Sequence, residues 1–452
     1  MAERTLEVFL EKNRVGVLSE GGGIWRFTYD SQWVSGPTPM AIGPGLPLGE
    51  ASIVDQGSQR PVQWFFDNLL PEEALRERLA KERRVATADA FGLLEAYGAE
   101  SAGALTLLHP GAKLPPRGRQ PLAPDVLVKR IRDLPRISLE AGAPKKMSLA
   151  GAQHKLPVIV EGDDFFEPEG AEPSTHILKP NHPDPESYPH SVVNEWFTMQ
   201  LAGHMGLSVP ATAHRYVPTG ETADGNVAVF LIERFDRARI AGQIHRLHAI
   251  DACQLLNLDR SYKTQQMTVE TLLRAAEATR SRGATRMRLF RWAIFNALVG
   301  NRDAHLKNLS FLVRAEGINL SPHYDVLSTV LFDAGQDTQS WSKLDMSLPL
   351  GDAERYQDVT RAALLDLAAK LGIGKAAAER ILDTMLRDLP TEAERLIAEF
   401  EARPFPASAA QTRAGELRVL RQIRHVVIAD MLRFAARHAS SPDRKRAANV
   451  RQ

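Results

Sequence analysis

Residues 301–308 of this chain read NRDAHLKN, and they lie between a segment with helical periodicity and the apolar run 309–313. Within the octapeptide, Asp303 is followed five positions later by Asn308. An Asp and an Asn at this spacing, in a loop that connects a helix to a strand, form the H-R-D-x-x-x-x-N arrangement of kinase catalytic loops. The octapeptide therefore predicts a phosphotransferase fold in which this loop carries the chemistry.

Asp303 and Asn308 have complementary chemistry. The carboxylate of Asp303 can orient an attacking hydroxyl and accept its proton, whereas the amide oxygen of Asn308 is a hard ligand for Mg²⁺. A second carboxylate is expected beyond the next hairpin, and Asp325 is found there in the run 321–327, SPHYDVL. Each residue alone is compatible with a solvated turn. The ordered set of two carboxylates and one amide favours a metal-dependent site instead.

Three features upstream would complete a nucleotide site. Lys179 ends the predicted strand 176–179, where a kinase places the lysine that meets the α- and β-phosphates. Glu195, on a helix predicted at 191–205, is either its ion-pair partner, as in protein kinases, or a surface glutamate. Residues 148–155, SLAGAQHK, form a small-residue loop before a strand, where backbone N–H groups can approach phosphates closely. Each of these features is a weak signal by itself.

The amino-terminal part of the chain, residues 1–110, is predicted to be a small mixed α/β unit. Its strands are expected at 6–10, 15–18 and 24–29. Segments 62–80 and 86–97 are expected to be helical, with residues 71–73, PEE, supplying a proline and acidic residues for a helix first turn. The segment Gly21–Gly23 lies between two apolar runs, which is typical of a hairpin turn rather than of a phosphate loop. The stretch 110–125 is rich in proline and is predicted to be a linker or a surface loop.

Two larger parts follow. Residues 111–237 are predicted to hold a sheet with the helix at 191–205, and residues 238–440 to be mainly helical. The helix before the octapeptide is expected to bury the face formed by Met287, Phe290, Ile294 and Leu298. Later helices are expected at 359–371, 374–388, 391–402 and 411–438, the last with a stripe of Leu420, Ile423, Val427, Met431 and Phe434. Residues 441–452 are predicted to be a basic tail.

Composition and charge exclude several classes of protein. The 452 residues are 44% hydrophobic and 25% charged, which is ordinary for a globular chain and excludes a disordered or fibrous one. The formal net charge of +1 gives no general attraction to nucleic acid or to anionic membranes. The single cysteine, Cys253, excludes an intramolecular disulfide and a cysteine-built metal site. With no signal-peptide pattern and no apolar stretch long enough to span a membrane, the sequence predicts a cytoplasmic protein.

These motifs resemble those of the HipA family, the serine/threonine kinase toxins of bacterial toxin–antitoxin systems. The resemblance covers nearly the whole chain, and the motifs occur in the family's order. They are FDNLLP (66–71), SAGA (101–104), SLAGAQHK (148–155), ILKP (177–180), NE (194–195), ERFDR (233–237), NRDAHLKN (301–308) and YD (324–325). The resemblance implies an α+β, bilobal kinase-like fold with an extra amino-terminal subdomain and a mainly helical carboxy-terminal lobe.

The resemblance also implies roles for individual residues. ATP and Mg²⁺ would bind between the two lobes, with Asp303 as the catalytic base and with Asn308 and Asp325 as metal ligands. The residues implied to contact the nucleotide are Ala150, Gly151, Ala152, Gln153, His154, Lys155, Lys179, Glu233, Arg234, Phe235, His305, Asn308, Tyr324 and Asp325. His154 stands where the family has an acidic residue, which leaves the role of that side chain open. Ser148 lies where family members autophosphorylate.

Partners are implied in the same way. Family members phosphorylate proteins, in known cases aminoacyl-tRNA synthetases, and are restrained by an antitoxin of the HipB type with a helix-turn-helix. The near-zero net charge agrees with DNA contact mainly through that antitoxin. No membrane partner is expected, and no residue identifies the protein substrate.

Three other functions are compatible with parts of the sequence. A small-molecule phosphotransferase shares the Asp-x4-Asn loop and the later metal-binding Asp, but the amino-terminal unit and the 148–155 loop disfavour it. A catalytically idle pseudokinase that acts as a transcriptional co-repressor with its antitoxin is disfavoured by the retained strand lysine, catalytic Asp and metal ligands. A histidine metal site is disfavoured because its candidates lack helical i, i+4 spacing. Those candidates are His176, His182, His190, His245 and His248.

Overall fold

A computed structural model describes residues 3–49, 52–99, 103–134, 136–137, 154–218, 226–333 and 340–437. Ser148 and residues 150–153 of the predicted phosphate loop lie outside the described residues, as does the predicted tail 441–452. Within the described ranges, no helix is both long enough and apolar enough to cross a membrane.

The amino-terminal unit is an antiparallel sheet covered by helices. Its elements are β1 (Arg4–Leu10), β2 (Asn13–Gly21), β3 (Ile24–Tyr29), α1 (Ser31–Val34), β4 (Ile53–Val54), α2 (Pro61–Asp67), α3 (Glu73–Arg83), α4 (Ala90–Tyr97) and β5 (Leu105–Leu108), with strand order β4-β3-β2-β1-β5. The three predicted strands are confirmed. The segment predicted to be helical at 62–80 forms two helices: the chain leaves α2 at Asn68 and starts α3 at Glu73, close to the helix start predicted at 71–73, because Pro71 cannot continue a helix interior.

The second sheet lies between two helices. Its elements are β6 (Arg117–Pro121), α5 (Pro124–Arg132), β7 (Leu156–Glu161), β8 (Asp164–Gly170), β9 (His176–Pro180), α6 (Ser191–His204), β10 (Thr212–Val217) and β11 (Val227–Glu233), with strand order β10-β11-β9-β7-β8-β6. Strand β11 is apolar on both faces because Val229 and Leu231 pack with α5 residues, whereas Phe230 and Ile232 belong to the core that contains α6. The predicted helix at 191–205 is confirmed.

The stretch predicted to be a linker, 110–125, is only partly irregular. Residues 117–121 form β6, which pairs with β8 at the edge of the second sheet. Pro124 then occupies the first turn of α5, where its missing N–H costs nothing. The prolines that indicated a linker therefore mark an edge strand and a helix start, two positions that tolerate proline. The domain boundaries predicted at 110, 237 and 440 stay predictions.

The rest of the chain is mainly helical with small sheets. Its elements are β12 (Arg237–Ile240), β13 (Gln243–Arg246), β14 (Ala249–Asp251), α7 (Ala252–Leu255), α8 (Val269–Glu277), α9 (Arg282–Val299), β15 (Ser310–Arg314), β16 (Gly317–Leu320), α10 (Val330–Asp333), β17 (Asp345–Leu350), β18 (Ala353–Arg355), α11 (Arg361–Lys370), α12 (Lys375–Ala402), α13 (Ala410–Gln422) and α14 (Ala429–Ala435). A π-helical turn, Ile423–Ile428, joins the last two helices. The stripe predicted along 420–434 is buried, as expected.

Helix α9 delivers the chain to the octapeptide. It ends at Gly300, which has a φ of +69° and lies so close to Val330 that a Cβ would come within 2.5 Å of it. Only glycine combines this conformation with this contact. Phe290, Ile294 and Leu298 of the predicted apolar face are buried, but Met287 is 42% exposed and lies in the first turns of α9, where residues 282–284 are exposed as well.

The helices predicted at 374–388 and 391–402 are one helix, α12. It runs through Pro390 without interruption. Its apolar stripe continues across the proline and is buried, through Leu382, Met385, Leu389, Ala393 and Leu396. Burial of each large side chain stabilises the fold by about 1.5–3 kcal/mol, so the stripe outweighs a proline penalty of about 3 kcal/mol.

His248 connects the amino-terminal unit to the second half of the chain through a buried hydrogen bond. From its environment we expect the stability of the fold to decrease in acid. Its buried Nε2 donates to the carbonyl oxygen of Ile42 at 2.7 Å, and its Nδ1 is buried with no hydrogen-bond partner. Burial lowers the pKa of His248 from 6.5 to about 4, so the unfolded chain takes up the proton first as the pH falls. We expect the free energy of unfolding to fall by about 3 kcal/mol between pH 6.5 and 4 on account of this residue.

Urea unfolding at a series of pH values measures this effect. His248→Gln keeps a donor for Ile42 but cannot titrate, so it should lose that part of the pH dependence and keep the part due to other groups. An identical pH dependence in both proteins would contradict the prediction.

Candidate active site

All three parts of the chain line one cavity of about 600 Å³, a volume typical of small-molecule sites. The amino-terminal unit contributes Asn68, Glu72, Glu73 and Gly103. The second sheet and the turn that follows it contribute Lys155, Lys179 and residues 232–236. The remainder includes Asp251, Lys263, Asp303, His305, Lys307, Asn308, Tyr324 and Asp325. Most of the predicted site residues that the structure describes therefore meet at this cavity.

The loop 301–308 is folded around the backbone of Asp303. The side-chain nitrogen of Asn308 and the backbone N–H of His305 donate to the Asp303 carbonyl oxygen at 2.7 and 3.0 Å. The Asp303 N–H in turn donates to Asn301 Oδ1 at 3.0 Å. These contacts leave the Asp303 carboxylate free to face the cavity, with 64% of the side chain exposed.

The charge environment of Asp303 suits a proton acceptor. Desolvation by the cavity walls raises the pKa of the Asp303 carboxyl, and His305, whose Nε2 lies 3.6 Å from Oδ1, opposes that rise. A carboxylate with a raised pKa is a stronger base than an ordinary aspartate. Because Asn308 donates to the loop through its nitrogen, its side-chain oxygen remains the group suited to a cation.

Lys179 forms the centre of a buried charge cluster. Its Nζ lies 2.7 Å from Glu195 Oε1 and also contacts Asp325. Glu195 has a fully buried side chain, so its alternative interpretation as a surface glutamate is wrong. Burial raises the pKa of Glu195 to about 7 although Lys179 opposes the shift. Burial would also raise the pKa of Asp325, but the ammonium groups of Lys179 and Lys155 outweigh it and hold that pKa far below its usual range.

Helix α6 also fixes the backbone around Asp325. Asp325 has a φ of +54°, which is uncommon for a residue with a side chain and is found where a fold holds a functional group in place. The side chain of Asn194 donates to Ser328 O at 3.1 Å and accepts from Ser328 N–H at 2.8 Å. Thr198 Oγ1 donates to the carbonyl of Val326. One helix therefore positions both Glu195 and the Asp325 loop.

The turn after β11 forms another wall of the cavity. Phe235 stacks on Tyr324 with ring centroids 5.5 Å apart and an interplanar angle of 21°. Glu233 ends the strand and is exposed, whereas the guanidinium of Arg234 is buried against Asp236 at 2.7 and 2.9 Å. Arg234 thus stabilises the turn through its side chain. The aromatic pair offers a flat apolar surface of the kind that a purine ring contacts.

The predicted phosphate loop is described only at its end. Lys155 lines the cavity, where burial lowers its pKa and the nearby Asp325 opposes that shift. His154 is half-buried and is not among the residues that line the cavity. Burial and the charge of Arg78 lower the pKa of His154. Within the described residues, no cluster of three histidine, cysteine or carboxylate side chains suits a metal ion.

Sequence reasoning missed the share of the amino-terminal unit in the cavity. Asn68 belongs to the motif FDNLLP (66–71), and Glu72 follows it directly. That motif contributed to the family resemblance, but no chemical role was predicted for its residues. Their partners are Lys263 and Lys307, the second of which lies inside the octapeptide. The signal in the sequence is the Asp67–Asn68 pair at the end of an apolar helix, because polar residues in such a place are rarely buried without a hydrogen-bond partner.

Comparison with known proteins gives consistent matches over both halves of the chain. Residues 6–108 match the HipA N-terminal domain, and residues 147–393 match the HipA-like C-terminal domain. The serine/threonine-protein kinase toxin HipA of Shewanella oneidensis is 31% identical over 349 residues, which are 73% of this chain and 76% of that protein. Y4mE of Sinorhizobium fredii, which carries the name of a kinase, is 34% identical over 345 residues, 74% of this chain and 79% of that protein.

A solved structure extends the match to the whole fold. It is the complex of HipA, HipB and operator DNA from Shewanella oneidensis, with a TM-score of 0.74 at 26% identity over 95% of this chain and 97% of that chain. The similarity confirms the predicted α+β, kinase-like fold with an added amino-terminal unit.

Proposed function

Because this chain belongs to the HipA family of serine/threonine kinase toxins, we propose that its cavity binds ATP with Mg²⁺ and transfers the γ-phosphoryl group to a serine or threonine hydroxyl of a protein. The observation that carries the proposal is the convergence of Lys179, Asp325 and the Asp303–Asn308 loop on one cavity. These groups come from three separate segments, and a phosphotransferase needs all of them together.

Asp303 would act as the base. Its exposed carboxylate would accept the proton of the acceptor hydroxyl while the hydroxyl oxygen bonds to the γ-phosphorus and the bond to the β–γ bridging oxygen breaks, which releases ADP. Lys179, held by Glu195, would bind the α- and β-phosphates. The stacked rings of Phe235 and Tyr324 would contact the adenine.

Asn308 and Asp325 would hold Mg²⁺. An amide oxygen and a carboxylate are hard donors, and Mg²⁺ in kinases takes only one or two protein carboxylates because phosphate oxygens and water complete its shell. The donor set of the cavity therefore fits this ion. When bound, Mg²⁺ neutralises charge on the phosphates.

The partners of the site follow from the same family. We propose that an antitoxin of the HipB type, with a helix-turn-helix, binds this chain and carries most of the contact with DNA, as the presence of HipB and operator DNA in the similar Shewanella complex suggests. The substrate would be a cytoplasmic protein of translation, such as an aminoacyl-tRNA synthetase. Autophosphorylation of Ser148 would regulate the toxin.

Intact-mass spectrometry of the purified protein, incubated with ATP and Mg²⁺, tests the reaction. We expect the mass to rise by one phosphoryl group, and to stay unchanged when EDTA removes the metal. Lysate proteins should be searched for new phosphoserine and phosphothreonine in the same incubation. A chain that starts unphosphorylated, binds ATP and phosphorylates neither itself nor any lysate protein would contradict the proposal.

Phosphorylation of Ser148 is expected to block nucleotide binding. A phosphoryl group adds a charge of about −1.5 to −2 beside a loop that would receive the phosphates of ATP. Ser148→Asp should therefore weaken ATP binding by about tenfold or more, which corresponds to about 1.4 kcal/mol. Calorimetric titration with ATP measures the change, and Ser148→Ala is the matched control that should bind as the wild type does. Equal affinity in Ser148→Asp and wild type would rule out this mode of regulation.

A further inference from the structure

Lys307 lies in the catalytic loop, yet its side chain reaches into the amino-terminal unit. The ammonium group is buried and lies 2.9 Å from Asn68 Oδ1 and 3.0 Å from the backbone oxygen of the same residue. It also lies 3.1 Å from Asp251 Oδ2 and 3.7 Å from Glu72 Oε1. Lys307, the residue just before the proposed metal ligand Asn308, is thus hydrogen-bonded to Asn68, which lies 239 positions away in the chain.

The surroundings of Lys307 keep its ammonium group protonated. Burial would lower the pKa of its ammonium group, but the carboxylates of Asp251 and Glu72 outweigh that effect and raise the pKa. A lysine that stays charged in a buried site makes strong hydrogen bonds to its neighbours. Its loss would leave the buried carboxylate of Glu72 and the largely buried carboxylate of Asp251 without this partner.

Asn68 is itself held in one orientation. Its side-chain nitrogen donates to Trp64 O at 2.9 Å and to Leu258 O at 3.0 Å. Both amide hydrogens are therefore in use, which directs the side-chain oxygen at Lys307. Leu258 follows α7 in the second half of the chain. The side chain of Asn68 therefore connects the amino-terminal unit to that half twice, through the carbonyl oxygen of Leu258 and through the ammonium group of Lys307.

The backbone of Lys307 lies between the two functional loops. Its carbonyl oxygen accepts a hydrogen bond from the hydroxyl of Tyr324 at 3.1 Å, next to Asp325. The following residue, Asn308, donates to the backbone of Asp303 at 2.7 Å. A displacement of Lys307 would therefore move the base and both proposed metal ligands relative to each other.

We propose that Asn68 and Lys307 are positioning residues for phosphoryl transfer, so that the amino-terminal unit is a working part of the active site rather than an attachment to it. This inference rests on the proposed kinase function. Neither residue needs to touch ATP: the lysine holds the catalytic loop, and the asparagine holds the lysine. A shift of about 1 Å in such a loop lowers turnover by about 100-fold.

Kinetics of Asn68→Ala, Lys307→Met and the double variant test the coupling. We expect kcat to fall about tenfold for Asn68→Ala and about 100-fold for Lys307→Met, with KM for ATP within about threefold of wild type. The double variant should be no slower than Lys307→Met, because both single substitutions break the same contact, the one between Asn68 and Lys307. The matched control is Arg76→Met. Arg76 is also a buried cation, but it lies in the amino-terminal unit, is paired with Asp67 at 2.7 Å, and does not contact the loop 301–308. Wild-type kcat in either folded variant, additive effects, or an equal loss in Arg76→Met would overturn the proposal.

Hydrogen–deuterium exchange of the peptide that spans 303–309 provides a readout that does not need activity. Exchange should be faster in Asn68→Ala and Lys307→Met but unchanged in Arg76→Met. If Lys307→Met does not fold, Asn68→Ala still decides the question, since it removes only an amide. An inactive wild type whose loop loosens in both variants would contradict the kinase function and leave the anchoring intact. Unchanged exchange in the variants would refute the anchoring itself.

Discussion

Asp303→Asn is expected to lower the rate of phosphoryl transfer by about 10²–10⁴-fold, the usual contribution of a general base. The substitution replaces one carboxylate oxygen by an amide that cannot accept the proton of the acceptor hydroxyl. It preserves the shape of the loop, because Asn301, His305 and Asn308 hold residue 303 through hydrogen bonds to its backbone, which the substitution leaves in place. Single-turnover phosphorylation, followed by intact mass, measures the loss.

The control for Asp303→Asn is nucleotide binding by the same protein. Since the Asp303 carboxylate faces the cavity without holding Lys179 or Asp325, we expect the Kd for ATP to stay within about threefold of wild type. A variant that binds ATP normally and transfers phosphate at the wild-type rate would show that another group, or none, takes the proton.

Lys179→Met is expected to abolish ATP binding and to destabilise the fold. The lysine is the shared partner of Glu195 and Asp325, so its removal leaves a fully buried glutamate uncompensated. Breaking a buried ion pair from one side costs about 3–5 kcal/mol. Urea unfolding should report that loss, and calorimetry should detect no binding of ATP with Mg²⁺ at concentrations that saturate the wild type.

A second variant separates stability from function at this cluster. In Lys179→Met/Glu195→Leu the uncompensated glutamate is gone, so the free energy of unfolding should return part of the way to the wild-type value while ATP binding stays absent. If Lys179→Met alone unfolds like the wild type, the cluster does not stabilise the fold as described. If the double variant regains ATP binding, the lysine is not a phosphate ligand.

Local features of the chain were predictable because their causes are local. Helix α6 follows from the spacing of Val193, Phe197 and Leu201, and it ends where Gly206 and Pro210 indicate. The errors arose where packing outweighed a local preference. Pro390 does not interrupt α12, since the apolar stripe on both sides of it is buried in one core.

The sequence by itself determined which residues could carry the proposed chemistry: Asp303 and Asn308 five positions apart, the later Asp325 and the strand lysine Lys179. It also determined the order of motifs that identifies the family. Only the tertiary structure decided that Glu195 is the buried partner of Lys179 and that Asn68 accepts a hydrogen bond from Lys307 of the octapeptide. Those decisions depend on contacts such as Lys179 with Asp325 and Lys307 with Asn68, which join residues 146 and 239 positions apart. Such contacts leave no periodic pattern in the chain, because they arise only when separate elements bury their apolar faces in a common core.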